Sequence, residues 1–182
     1  MSKLYSFPFG SMVPAPLIVA LDFETANTSA DSACQLGLVR IEDWNIVRSK
    51  SWLIRPPTDE FCFTYLHGIA LEDVANQPRW KGLWPEIAQE LQGADFLAAH
   101  NARFDRGVLE ASCLGAGIPA VLPPFLDTVT IARRVWNIFP TKLNLVCEKL
   151  SIPLNHHEAL SDAQACAQIL VRAHQEGWNP EP

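Results

Sequence analysis

The sequence lacks the cysteine patterns of a zinc site or a disulfide framework. Five cysteines are scattered along the chain without a C-x-x-C pair: Cys34, Cys62, Cys113, Cys147 and Cys166. An odd number of dispersed cysteines, several of them in apolar stretches, is typical of reduced thiols used as small core residues. The sequence therefore predicts a protein of a reducing compartment, and we expect the cytoplasm.

Long hydrophobic runs are also missing. Residues 17–21 are the longest clean apolar run, whereas a membrane-spanning helix needs roughly 20 apolar residues. Residues 1–16 contain a single lysine, three prolines and no apolar segment of signal-peptide length. We therefore predict a flexible lead-in over residues 1–16 and no association with a membrane.

The chain has no excess of positive charge. Lysine and arginine number 14 against 20 acidic residues, which gives a formal net charge of −6 and a pI near 5.3. This balance counts against a protein that holds long duplex DNA by phosphate contacts alone. It does not exclude a nucleic-acid substrate, because divalent cations bound by carboxylates reverse the local charge.

Hydrophobic periodicity predicts an α/β domain. We predict strands at residues 17–21, 33–41, 46–54, 96–99 and 125–126. Helical spacing predicts helices at residues 80–91, from Asn101 to about Gly115, and at residues 128–135, 143–150 and 159–174. Three hairpin-connected strands followed by alternating helices and strands indicate a mixed five-stranded sheet flanked by helices. We place the domain at residues 17–176 and a tail at residues 177–182.

The first candidate motif follows the first predicted strand. Asp22 and Glu24 are two residues apart, so their side chains point to the same face of an extended chain. Two neighbouring carboxylates repel each other, and a hard divalent cation with oxygen ligands is their natural compensation. The pair alone is weak evidence, because an Asp-x-Glu at a strand end is usually a surface feature.

Two further motifs place acidic residues near helix starts. Asp105 is expected in the first turn of the helix that Asn101 caps, where it could merely complement the helix dipole. His157 and Asp162 are five residues apart and cannot share a helical face, since that spacing turns their side chains about 140° apart. They converge if His157 lies on the loop before the last helix. We expect the neighbouring His156 to be a surface residue.

Together these residues resemble the DEDDh family of 3′→5′ exonucleases, which includes the proofreading epsilon subunit of DNA polymerase III. The three motifs are Asp22-Phe23-Glu24-Thr25, residues 100–105 and residues 157–162, and two lesser segments, residues 67–69 and 126–128, also fit. The resemblance covers residues 17–173. Each motif alone is weak, but all three in order, with the histidine spacing of the family, are highly specific.

The resemblance implies a ribonuclease H-like fold and two bound Mg²⁺ or Mn²⁺ ions. By similarity, Asp22 bridges the two metals, and Glu24 and Asp162 complete the site of the first. Asp105 would serve the second metal, partly through water. His157 would be the general base that activates the attacking water, a role that suits histidine because it titrates near neutrality.

The resemblance also suggests residues for the terminal nucleotide: Phe23, Thr25, Leu66, His67, His100, Asn101 and Phe104. For Phe104 a place in the core is an equal alternative, and for Asn101 a plain helix cap is preferred. Three basic residues, Arg133, Arg134 and Lys142, are candidates for phosphate contacts. The tryptophans Trp52, Trp80, Trp84 and Trp136 are left open between core and contact surface.

The function predicted is removal of nucleotides from a single-stranded 3′ end, with DNA favoured as the substrate. The alternatives are an RNA exonuclease, a nuclease of short oligoribonucleotides, and a nucleic-acid-binding module that has lost the chemistry. The short C-terminus gives no indication of association with a polymerase. A homodimer is left open.

Overall fold

A computed structural model describes residues 15–181. The predicted lead-in therefore falls mostly on residues 1–14, outside the described residues, as does residue 182 of the predicted tail. A five-stranded sheet of order β3-β2-β1-β4-β5 forms the centre. Its strands are β1 (Ile18–Thr25), β2 (Ala33–Glu42), β3 (Asn45–Leu53), β4 (Phe96–Ala99) and β5 (Phe125–Asp127). The first three pair antiparallel, and β1, β4 and β5 run parallel, which confirms the predicted mixed sheet.

Seven helices are assigned within the described part of the chain. They are α1 (Thr64–His67), α2 (Leu71–Val74), α3 (Trp80–Leu91), α4 (Ala102–Gly115), α5 (Thr128–Trp136), α6 (Leu143–Leu150) and α7 (Ala159–Gln175). The longer five were predicted to within a residue or two at their ends. The short helices α1 and α2 were not predicted, because four residues are too few to show a helical period.

Two local predictions are wrong. Strand β1 continues to Thr25, so Asp22 and Glu24 lie within the strand and not after it, because the ladder to β2 extends past them. Asn101 precedes α4 but does not cap it with its side chain. Its backbone is left-handed, with φ of 73°, and its side chain accepts no hydrogen bond from the helix.

The helices cover the sheet on both faces. One cluster joins β1 and β2 to α3 and α4, a second joins the other face of the sheet to α7, and a third lies between α5, α6 and α7. Four of the cysteines are buried free thiols, as expected, and Cys62 is exposed. Trp80 is buried, while Trp52, Trp84 and Trp136 pack at the margins of the core. Among residues 15–181, no helix has the length and apolar character needed to cross a membrane.

One contact fixes how close α7 lies to the sheet. Gly37 of β2 is the register partner of Asp22. A Cβ atom at Gly37 would overlap the backbone carbonyl of Ala159 at the start of α7. The missing side chain therefore allows the first turn of α7, which carries Asp162, to approach the middle of the sheet.

Candidate active site

The structure brings three of the predicted carboxylates together. Asp22 and Glu24 project from the same face of β1, and Asp162 projects from the first turn of α7. One oxygen from each of the three lies within 4.8 Å of the others. Side chains on a central strand and on a helix packed across it are held by the core, so this arrangement does not depend on a loop.

The fourth carboxylate, Asp105, lies behind the other three. It is buried in the first turn of α4, and its Oδ1 accepts a hydrogen bond of 3.0 Å from the backbone N–H of Phe23, between Asp22 and Glu24 in β1. This bond ties α4 to β1. Asp105 does not line the cavity described below, so any role with a metal would need a bridging water or a small movement.

The carboxylates raise one another's pKa values. Burial raises the pKa of Glu24 to about 7, with Asp162 and Glu158 adding to the effect. Burial raises the pKa of Asp105 to about 8, although the hydrogen bond from Phe23 opposes the shift. Burial, followed by the negative charges of Asp105, Asp162 and Glu24, holds the pKa of Asp22 well above its usual range. A bound cation would relieve the repulsion between these carboxylates.

Asp162 shows that the cluster suits a metal ion. Its Oδ2 accepts hydrogen bonds from His156 and from the backbone of His157, but its buried Oδ1 has no partner among the described residues. An unpaired buried carboxylate oxygen is costly unless something binds it. An oxygen-only set from Asp22, Glu24 and Asp162 fits a hard divalent cation such as Mg²⁺ or Mn²⁺.

The hydrogen bond to Asp162 comes from the ring of His156 and not from that of His157. His156 was predicted to be a surface residue, and its side chain is 35% exposed, but its Nδ1 lies 2.9 Å from Oδ2 of Asp162. The ring of His157 stacks on that of His156 at 3.8 Å and makes no hydrogen bond to residues 15–181. His157 has a left-handed backbone with φ of 68°. Spacing alone could not show which histidine bonds to Asp162, because the loop conformation decides it.

His157 remains our candidate for the general base. Burial and the adjacent His156 lower the pKa of its imidazole, so the ring is neutral and able to accept a proton near pH 7. We expect His157→Ala to lower the hydrolysis rate by roughly 100-fold or more, within the range for losing a positioned base. His156→Ala should cost less and should mainly raise the metal concentration needed, because it loosens Asp162. Rates measured against manganese concentration would test this, and the reverse order of losses would assign the base to His156.

Two further histidines use their ring nitrogens in hydrogen bonds within the fold. Nε2 of His67 bonds to the carbonyl oxygen of Thr25 at 3.1 Å, while its Nδ1 accepts from Ile69. Nε2 of His100 bonds to the carbonyl oxygen of Thr141 at 2.9 Å, and its Nδ1 lies 2.8 Å from the Thr128 hydroxyl. A carbonyl only accepts, so each Nε2 carries the proton, and burial lowers the pKa of both rings. Neither ring is free to act as a base.

A cavity of about 500 Å³ opens above the carboxylates. All seven residues predicted to contact the terminal nucleotide line it, together with Asp22, Glu24, His157 and Asp162. Phe104 is 46% exposed, so the alternative of a core residue is wrong. Their contacts with a substrate stay predictions.

Several lining residues were not identified from the sequence. They are Phe63, Tyr65, Val129, Thr141 and Leu143, with His156 already noted. Glu158 was also missed: it caps α7 by accepting hydrogen bonds from the backbone of Leu160 and Ser161, and its charge raises the pKa of Asp22 and Glu24. Its position just before an apolar helix was the available signal for the cap.

Curated relatives can be aligned with most of this chain. The chain is 36% identical over 157 residues to the PolC-type DNA polymerase III of Clostridium perfringens and 31% identical over 161 residues to that of Thermotoga petrophila. The alignments cover 84% and 85% of this chain but only 11% and 12% of the relatives. The chain thus corresponds to a small part of those polymerases.

Solved structures share the fold. A structure of exonuclease X in complex with 5′-overhanging duplex DNA superposes with a TM-score of 0.73 and 24% identity, covering 89% of this chain and 94% of that one. A 3′-exonuclease that recognises a histone mRNA stem-loop gives a TM-score of 0.74 at 17% identity, covering 90% of this chain and 84% of that one. These neighbours confirm the ribonuclease H-like fold. The sequence model of the exonuclease family (RNase_T) matches residues 19–170, and the chain therefore belongs to that family of nucleases.

Proposed function

We propose that this chain is a metal-dependent 3′→5′ exonuclease that hydrolyses the terminal phosphodiester bond and releases nucleoside 5′-monophosphates. The observation that carries the proposal is the Asp162 carboxylate, whose buried Oδ1 has no hydrogen-bond partner among residues 15–181. One oxygen of this carboxylate lies within 4.8 Å of an oxygen of Asp22 and of Glu24, and all three residues line an open cavity. Phosphodiester hydrolysis by a nuclease needs this combination of a cation site and room for a nucleotide.

Each residue has a distinct task in the proposed reaction. Asp22, Glu24 and Asp162 would hold the divalent ions, with Asp105 contributing through water. When bound, a pair of Mg²⁺ or Mn²⁺ ions neutralises charge on the attacking and leaving oxygens. The His157 imidazole takes the proton of the attacking water, since its ring nitrogens have no hydrogen-bond partner among residues 15–181. The cavity walls orient the terminal nucleotide so that its phosphate meets the carboxylate cluster.

DNA is the favoured substrate. The two PolC-type relatives described above are DNA polymerases, in which a stretch of about this length is similar to the present chain. RNA is the second candidate, because one structural neighbour is a 3′-exonuclease that recognises a histone mRNA stem-loop. The two differ by a 2′-hydroxyl, and we propose that His67 and Thr25, which line the cavity and are hydrogen-bonded to each other, contact the sugar.

The test is a 3′-end shortening assay. Single-stranded DNA and RNA labelled at the 5′ end are incubated with the protein in manganese, in magnesium or in a chelator. We expect a ladder that shortens from the 3′ end, requires metal, and is faster on DNA. Asp162→Asn, which keeps the size of the side chain, should remove the ladder. A wild-type protein that shortens neither polymer in manganese would refute the proposal, and a faster ladder on RNA would change the substrate.

A further inference from the structure

Exposed aromatic rings are confined to one region of the described surface. Among residues 15–181, three aromatic side chains are exposed: Tyr65 at 82%, Phe104 at 46% and Phe139 at 78%. Tyr65 and Phe104 line the active-site cavity. Phe139 has no part in the site described so far. Nucleic-acid bases stack on exposed aromatic rings, so the position of Phe139 relative to the cavity decides whether it is a candidate contact.

A chain of contacts connects Phe139 to the cavity. Its ring centroid lies 6.0 Å from the guanidinium carbon of Arg133. The Nε of Arg133 donates a 2.8 Å hydrogen bond to the hydroxyl of Thr141, whose carbonyl oxygen accepts from His100 at 2.9 Å. Thr141 and His100 line the cavity. These contacts place the Phe139 ring next to residues that form the wall of the cavity.

The charge around Phe139 is positive. Arg133 and Lys142 are both exposed, and Lys142 also lines the cavity. Arg133 forms no ion pair with a described carboxylate, whereas the neighbouring Arg134 is paired with Glu181. We call Arg133, Phe139 and Lys142 the Phe139 surface. Cations beside an exposed ring, in a chain of net charge −6, match the alternating phosphates and bases of a single strand.

We infer that the nucleotides upstream of the scissile bond leave the cavity over the Phe139 surface as a single strand. One base stacks on the Phe139 ring, and the adjoining phosphates lie against Arg133 and Lys142. This inference rests on the proposed function, because it extends the path of the same substrate. A second copy of the chain on this surface is the competing occupant, and the test separates the two.

Binding without cleavage gives the direct test. The affinity for a 5′-labelled oligothymidylate longer than the cavity is measured by fluorescence anisotropy in a chelator. Phe139→Ala should raise Kd by about fivefold or more, the lower end of what one base stacked on an aromatic ring contributes. Phe139→Tyr keeps the ring and should bind as the wild type does. Leu114→Ala, at the exposed end of α4, is the matched control and should change nothing.

Hydrolysis separates this inference from the proposed function. The p-nitrophenyl ester of thymidine 5′-phosphate occupies only the cavity, so its cleavage by the wild type in manganese tests the proposed function alone. For Phe139→Ala, the ratio of kcat/KM on oligothymidylate to kcat/KM on the ester should fall about fivefold or more. An unchanged Kd and an unchanged ratio would overturn the inference. Weaker binding that accompanies loss of a dimer in light scattering would overturn it too, since the surface would then hold a second copy.

Discussion

Replacing Asp22 with asparagine is expected to abolish hydrolysis and, at the same time, to stabilise the metal-free protein near pH 8. Losing a residue that only orients a metal ligand costs about 10- to 100-fold in activity, so losing the carboxylate at the centre of the cluster should cost more. The gain in stability has an electrostatic cause. Asp22 feels the charges of Asp105, Asp162 and Glu24 in a desolvated environment.

The sign of the pH effect follows from the raised pKa values. An unfolded carboxyl group titrates at about 4, whereas Glu24 titrates at about 7 and Asp105 at about 8 in the folded chain. The folded state therefore binds protons more tightly. The free energy of unfolding should fall as the pH rises from about 4 to about 8. Asparagine at position 22 removes one charge and should weaken that fall.

Thermal unfolding in a chelator at about pH 5 and about pH 8 would measure this effect. The variant should exceed the wild type in Tm near pH 8, and the difference should be smaller near pH 5. Manganese should raise the Tm of the wild type near pH 8, since a ligand that binds only the folded state stabilises it. The control is Glu110→Gln, an exposed carboxylate in a surface ion pair with Arg106, which should change little. A variant less stable than the wild type near pH 8 would show that repulsion does not dominate the cluster.

Gly37→Ala is expected to lower both stability and activity through a single added methyl group. That Cβ would overlap the carbonyl of Ala159, where β2 and α7 are in backbone contact. Overpacking of this kind costs about 1–3 kcal/mol of unfolding free energy. To relieve the overlap, the start of α7 must move away from the sheet, and Asp162 moves with it. A displacement of about 1 Å in a catalytic group costs roughly 100-fold in rate.

Gly107→Ala is the matched control for this prediction. Gly107 lies within α4, and a Cβ there meets no atom within 4 Å. Alanine in a helix is more favourable than glycine by about 1 kcal/mol, so this variant should be at least as stable as the wild type. Both variants are assayed at a temperature where circular dichroism shows them folded. A folded Gly37→Ala protein with full activity would mean that the approach of α7 does not set the position of Asp162.

The sequence by itself determined the parts of this protein that depend on local periodicity. Asp22 and Glu24 are two residues apart, so they lie on the same face wherever this stretch is extended, although pairing with β2 is what extends the strand to Thr25. The apolar spacing of α3 and α7 gave their ends to within a residue. The order of strands and helices gave the mixed sheet, and three motifs in order gave the family.

Only the tertiary structure decided the contacts between residues far apart in the chain. The bond from Phe23 to Asp105 joins residues 82 positions apart, and that from His100 to Thr141 joins residues 41 apart. No local pattern marks such partners. The same holds for Gly37, whose lack of a side chain matters only because α7 packs on it.

The loop before α7 shows most clearly which contacts cannot be predicted from the sequence. Spacing indicated that His157 would converge with Asp162, but the ring that bonds to Asp162 is that of the adjacent His156. A left-handed backbone at His157 directs its amide, and the ring of His156, towards Asp162. That conformation is stabilised by contacts with α7 and the carboxylate cluster. Local preferences in a loop are weak, so the choice between the two histidines was made by packing and electrostatics that exist only in the folded chain.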